Sequence, residues 1–135
     1  MKFKSEKILL FSIGAIGYGL LEILWRGYTH WSMLTAGGIC FVFFAKLGEK
    51  LKNTALFIKA IIGCAFITSI EFIFGLIFNI ILKKNVWDYS KMPLNFCGQI
   101  CALYSLFWLI ISIIFIPLAC LVSKNLNNIF YKKGV

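Results

Sequence analysis

Residues 100–123 run for 24 positions without a charged side chain. A helix of about 20 apolar residues crosses the hydrocarbon core of a bilayer. Inside that core each backbone polar group must be satisfied within its own segment, which leaves the helix as the simplest solution. The chain holds further runs of the same kind. Ile8–Trp25 is 18 residues interrupted only by Glu22, and Ala60–Leu82 is 23 residues interrupted only by Glu71. Trp31–Ala45 is shorter, 15 residues without a charge. Lys46 at its end can snorkel and extend it by a turn; a re-entrant hairpin is the alternative for this segment. The pattern therefore predicts an all-α polytopic membrane protein. It is one transmembrane domain over residues 1–135, a bundle of four helices at about 8–26, 31–48, 59–82 and 99–123.

Composition agrees with this class. The chain is 61% hydrophobic and 17% aromatic, with a mean hydropathy of +0.89, whereas soluble domains are about 45–50% apolar. Fourteen Lys/Arg against five Asp/Glu give a net charge of +9. In a soluble protein that excess would suggest nucleic acid. Here the basic residues punctuate the apolar runs, so nucleic acid is not expected, and the bilayer is the expected environment.

The same charges predict orientation. With four spans both termini share a side. Lys2, Lys4, Lys7, Lys46, Lys50, Lys52, Lys59, Lys124, Lys132 and Lys133 fall on that side, and only Arg26, Lys83, Lys84 and Lys91 on the other. The positive-inside rule then makes both termini cytoplasmic. Trp25, Tyr28, Trp31, Trp87 and Tyr89 collect in the two outer connections, where amphipathic rings belong. The basic start resembles a signal peptide, but no small-residue cleavage site follows the first run, which is read as a retained helix.

Glu71 lies near the middle of an otherwise uncharged span. On a helix turning about 100° per residue, Cys64, Thr68, Gly75 and Asn79 lie within about 80° of it. This small and polar stripe is expected to face other helices, with Phe, Ile and Leu turned to lipid. The first helix repeats the design with Ala15, Gly19, Glu22 and Arg26 on one face, and Glu22→Arg26 is an i,i+4 pair in the favourable orientation. Gly37 and Gly38 in the second helix allow close backbone approach, and Cys101, Ser105 and Ser112 are expected on one face of the fourth. Counted from the inner ends, Glu22 is about 21 Å and Glu71 about 16 Å along their helices. The two carboxylates are expected in the outer half, within about one turn of each other, facing a shared polar cavity.

No metal, cofactor or catalytic constellation is expected. His30 is the only histidine and suits an interfacial or helix-start position. Cys97 and Cys101 have a C-x3-C spacing that would place them on one face of a helix; a disulfide or metal is conceivable there, but packing thiols are the simpler reading. "GAIGYG" at 14–19 lacks the strand-then-helix context of a phosphate loop and is read as a helix-packing surface.

The densest local text is "VWDYSKMPLNFCGQIC", residues 86–101. Asp88 and Ser90 can cap a turn, Pro93 breaks it, and Asn95 can bond local backbone. In order, Glu71–Phe72, Trp87–Asp88–Tyr89–Ser90, Pro93, Asn95 and Gly98–Gln99–Ile100–Cys101 resemble the family of bacterial membrane proteins called Putative ABC-transporter type IV. The likeness is best over 69–112 and weaker through Gly17–Tyr18, Glu22 and Arg26–Gly27. The chain departs from the family's pattern at Gln99, where members carry arginine, and at "YTHWSMLTAGG", which lacks a proline-containing stretch. The resemblance implies a permease-like or transport-associated subunit of the bacterial cytoplasmic membrane, with a membrane protein, an ATPase subunit or a second copy as partner. The candidate binding residues are Glu22, Arg26, Glu71, Trp87, Asp88 and Asn95. A membrane-embedded enzyme or a non-catalytic accessory protein acting on lipid-linked material is the alternative. Trp87, Asp88, Tyr89, His30 and Arg26 at the outer surface would serve that alternative.

Overall fold

A computed structural model describes residues 2–132 of the chain, and the side chains of residues 5–131. Lys133 and the side chains of Lys2, Lys4 and Lys132, which enter the charge count above, lie outside the described residues. The architecture is a bundle of four long helices. These are α1 (Lys2–Arg26), α2 (Trp31–Lys50), α3 (Leu56–Phe74) and α4 (Ala102–Lys132). A π-helical turn over Gly75–Ile81 continues α3, and two short antiparallel strands, β1 (Asn95–Phe96) and β2 (Ile100–Cys101), precede α4. All four helices are long and apolar enough to cross a membrane. Segment 31–50 is one continuous helix, so no re-entrant hairpin forms there.

The helix ends follow local chemistry. His30 caps α2: its backbone is extended and its Nδ1 accepts from the Ser32 amide. That is the helix-start role expected of it. At the end of α3 the Leu82 amide donates to the Ile77 carbonyl, five residues back, and Lys83 and Asn85 then take positive φ values of 53° and 50°. The fourth helix differs from expectation at both ends. It begins at Ala102 rather than 99, because Gly98 at φ 69° turns the chain into β2 first. It continues to Lys132 rather than stopping near 123. Loss of hydropathy after Ser123 ends the membrane run but not the backbone ladder, because Leu126 still packs against the core of the bundle.

Packing is uneven, and this positions the site. Gly14 and Gly37 let α1 and α2 touch through backbone: a Cβ on Gly37 would meet Tyr18 Cβ at 2.5 Å. On α3, a Cβ on Gly63 would meet Ser112 Oγ of α4 at 2.9 Å. An inner core gathers Leu10, Phe41, Phe44, Leu47, Ile116 and Ala119 from α1, α2 and α4. An outer core gathers Met33, Phe78, Val86 and Trp87. α1 and α4 meet over far less of their length than α1 and α2 or α3 and α4 do. The result is a crevice between α1 and α4, open where Ile13, Leu20, Leu21, Leu24 and Leu118 are exposed.

Candidate functional site

The small and polar stripe of α3 faces inward. Cys64 Sγ donates to the Ser105 carbonyl at 3.1 Å, Thr68 and Ser105 share a hydroxyl bond of 3.2 Å, and Gly75 lies under the Gln99 side chain. Glu71 is buried at 5% exposure. Trp108 Nε1 donates to its Oε2 at 2.8 Å, and the Tyr89 hydroxyl donates to its Oε1 at 2.7 Å. Both donors are neutral. Trp108 reaches Glu71 because Ser105, Trp108 and Ser112 occupy i, i+3 and i+7 positions on the inward face of α4.

Glu22 and Arg26 form the expected i,i+4 pair. Arg26 Nη2 and Nε donate to Glu22 Oε2 at 2.6 and 3.1 Å, and the Tyr18 hydroxyl donates to Oε1 at 3.3 Å. Arg26 Nη1 donates to the Val86 carbonyl at 2.8 Å, while the guanidinium stands 4.7 Å from the centre of the Tyr28 ring. The guanidinium is thus committed on each side, and its charge is matched by Glu22.

The outer connection, residues 83–101, is a cap bonded to the bundle. Asn79 Oδ1 accepts from the Val86 and Trp87 amides at 2.7 and 3.4 Å, and Asn79 Nδ2 donates to Gln99 Oε1 at 2.8 Å. Trp87 is buried and its Nε1 donates to the Gln99 carbonyl at 2.9 Å. Tyr89 stacks on Tyr104 at 4.6 Å. Burial, and then the neighbouring Glu71, hold the Tyr89 phenol well above its usual pKa, so it stays a protonated donor. Asp88 and Asn95 are exposed and serve the loop itself. Asp88 Oδ1 accepts from the Ser90 amide at 2.9 Å, and hydrogen bonds from Ser90 hold this carboxyl below the usual range. Asn95 Nδ2 donates to the Met92 carbonyl at 2.8 Å, and its Oδ1 accepts from the Gly98 amide at 3.1 Å.

The structure therefore brings Glu22, Arg26, Glu71 and Trp87 together and leaves Asp88 and Asn95 outside the group. Cys97 and Cys101 do not share a helical face: Cys97 is an exposed turn residue at φ 55°, Cys101 is buried in β2, and both are free thiols. Cys101 accordingly does not extend the helical face of Ser105 and Ser112. Among the described residues Gln99 makes no hydrogen bond to Glu71; it ties Asn79 to the Cys97 carbonyl.

Two adjoining cavities occupy the crevice. The first, about 400 Å³, has Glu71 in a wall that is otherwise nearly all apolar and does not include Glu22, so the two carboxylates do not share one polar cavity as expected. The second, about 320 Å³, lies further out and is lined by Glu22, Arg26, Tyr89 and Tyr104. Tyr18, Trp87 and Trp108 line both. Tyr18 and Trp108 were invisible as site residues because they read as ordinary membrane aromatics. The available signals were positional: Tyr18 is four residues before Glu22, and Trp108 shares a face with Ser105 and Ser112. Glu6 was missed as well. It is buried in α1 and accepts from the Ser123 hydroxyl of α4 at 2.8 Å, a tie at the inner end of the bundle.

The sequence pattern of the family described as Putative ABC-transporter type IV matches residues 8–133. The chain belongs to this family. The match takes in both halves, including the α1 segment whose motifs are sparse. Membership and the four helices together make it a small, multi-pass, transport-associated membrane protein. No curated protein and no solved structure matches it.

Proposed function

We propose that this member of the ABC-transporter type IV family binds a proton or a cation at Glu71, within the membrane, as a subunit of a transport system. One observation carries the reading. A buried carboxylate whose donors are both neutral lines a 400 Å³ cavity that is otherwise nearly all apolar. A charge at mid-bilayer costs about 2.5–3.5 kcal/mol on insertion scales, so carboxylates there are rare and mark ion pathways.

The resting form of Glu71 is the neutral acid. An ionised carboxylate there would be buried with neutral donors alone to face it, because Arg26 is committed to Glu22. The heavy-atom geometry accommodates the proton. Trp108 Nε1 can only donate, so it fixes Oε2 as an acceptor. The hydroxyl of Tyr89 can also accept, so a proton on Oε1 reverses the 2.7 Å bond with no heavy atom moved, the phenolic hydrogen rotating away. Energy coupling would come from a partner ATPase, since the chain carries no phosphate-binding loop of its own in its sequence.

Residues favoured by the alternative, chemistry on lipid-linked material, have structural partners instead: Trp87 holds Gln99, Asp88 holds Ser90, His30 caps α2 and Arg26 pairs with Glu22. Infrared difference spectroscopy of the purified protein tests the proposal. A protonated-carboxyl C=O band is expected at neutral pH and should vanish in Glu71→Gln. Absence of that band refutes the neutral resting form. Cation-induced thermal stabilisation that is unchanged in Glu71→Gln refutes the binding site.

A further inference from the structure

From the walls of the α1–α4 crevice we infer that it is a binding site for a lipophilic, monovalent organic cation of the quaternary ammonium or phosphonium type, entering sideways from the bilayer. The inference rests on Glu71 being the site's uncompensated carboxylate. It adds the ligand class, the route and the grip.

Charge selects the sign. Glu22 is cancelled by Arg26, whose guanidinium is held at 2.6 Å and is also tied to Val86. Glu71 receives only neutral donors. Once Glu71 gives up its proton, the crevice therefore offers one net negative charge to a single positive one. An inorganic ion would meet too little here to replace its water shell, because nearly all the remaining lining is carbon. An organic cation has no tightly held shell to lose and gains from apolar walls.

The aromatic rings supply the grip. Tyr18, Trp87 and Trp108 line both cavities, and Tyr104 and Phe107 close the outer one. Tyr18 and Trp108 stand 6.3 Å apart, tilted by 46°, and form one continuous wall. Ring faces attract cations electrostatically, most strongly in desolvated settings, and aromatic cages are a recurrent solution for quaternary ammonium groups. The same geometry discriminates against a matched anion.

The mouth faces lipid. Ile13, Leu20, Leu24 and Leu118 line the inner cavity and are also exposed on the outside of the bundle. Gly17 of α1 sits in this opening: a Cβ built on it meets no heavy atom within 4 Å. A large side chain at this position starts into open space at the mouth of the crevice. Binding also has a proton balance. If Glu71 is neutral at rest, the arriving cation replaces its proton, which leaves to water, so one proton appears per cation bound.

The test uses the full chain in lipid nanodiscs with tetraphenylphosphonium and tetraphenylborate, ions of one shape and opposite charge. Saturable quenching of tryptophan fluorescence by the phosphonium is expected, with one site per chain and no saturable effect of the borate. Glu71→Gln should weaken the phosphonium by about tenfold or more, the equivalent of about 1.4 kcal/mol. Gly17→Phe should abolish binding while the protein keeps its helical spectrum. Equal binding of both ions, or unchanged binding in Gly17→Phe, overturns the inference. Lack of phosphonium binding to the wild type also overturns it; the infrared band of Glu71 then decides separately whether the Glu71 proposal survives. Binding without proton release supports the cation site and removes only the neutral resting form.

Discussion

Glu71 illustrates how far a single residue can be read. Its direction was legible, because Cys64, Thr68, Gly75 and Asn79 form a stripe that can only be an interior face. Its partners were not, because Tyr89 and Trp108 arrive from 18 and 37 positions away, and no local spacing encodes such a meeting. Those partners make the substitutions predictable. In Glu71→Gln the amide oxygen must take the Trp108 N–H, since that group cannot accept. The amide NH2 then faces Tyr89, whose hydroxyl can accept. A well-folded protein with less than about 1 kcal/mol of lost stability is expected. Glu71→Leu strands the buried Trp108 N–H, at about 1–3 kcal/mol, and leaves the half-buried Tyr89 hydroxyl without its partner, at about 1 kcal/mol. Unfolding in mixed micelles should therefore show a loss of about 2–4 kcal/mol. Trp108→Phe should fall between them, because it removes one donor and leaves Oε2 unpaired. A Glu71→Leu protein as stable as wild type would mean that the two hydrogen bonds do not form in the membrane.

The outer cap is where helical reasoning lost its hold. A C-x3-C spacing places two cysteines on one face only if the backbone is helical, and positive φ at Leu94, Cys97 and Gly98 turns it elsewhere. Positive φ at non-glycine residues costs about 1–3 kcal/mol each, so the cap must be held by bonds to the bundle. The density of turn residues in 86–96 foretold an ordered connection. It could not foretell that Asn79, lifted by the π-helical turn, would be the anchor. Asn79 bonds the Val86 amide, the Trp87 amide and Gln99 at once. Hydrogen exchange should accordingly show protected amides at Val86, Trp87, Tyr89 and Gln99, well slower than the exposed connection at 52–53. Asn79→Ala leaves the Val86 amide unsatisfied, at about 1–3 kcal/mol. Its exchange should accelerate about ten- to a hundredfold. Exchange at Val86 that is unchanged in this variant would show that the cap is held by other means. Gly75 is a second support: a Cβ there would meet Gln99 Oε1 at 2.5 Å and press the cap outward.

On the scale of the whole molecule, the bilayer explains what the bundle leaves uncovered. Large apolar side chains are exposed along α1, α3 and α4, and Trp25, Tyr28 and Trp31 are exposed together at one end, as an interfacial belt requires. α4 is 31 residues long, about 46 Å at 1.5 Å per residue, against a hydrocarbon core of about 30 Å. Its surplus lies beyond Ser123, where Leu126 still packs on the inner core with Leu51. The helix therefore leaves the membrane on the side of the α2–α3 connection. Charge gives that side its identity: Lys46, Lys50, Lys52 and Lys124 are all exposed there, whereas Lys83, Lys84 and Lys91 lie at the opposite end. The positive-inside rule predicts that the surplus of α4, and the termini on the same side, face the cytoplasm. This orientation would present the protruding helix to a soluble ATPase and the Glu71 crevice to the outer half of the bilayer. Single cysteines placed at Asn53 and Lys84, both exposed, in a chain freed of its five native cysteines, decide the matter in intact cells. A membrane-impermeant maleimide should label Lys84→Cys at once and Asn53→Cys only after the membrane is opened. The reverse pattern would invert the protein, move the protruding end of α4 outside, and separate it from any cytoplasmic partner.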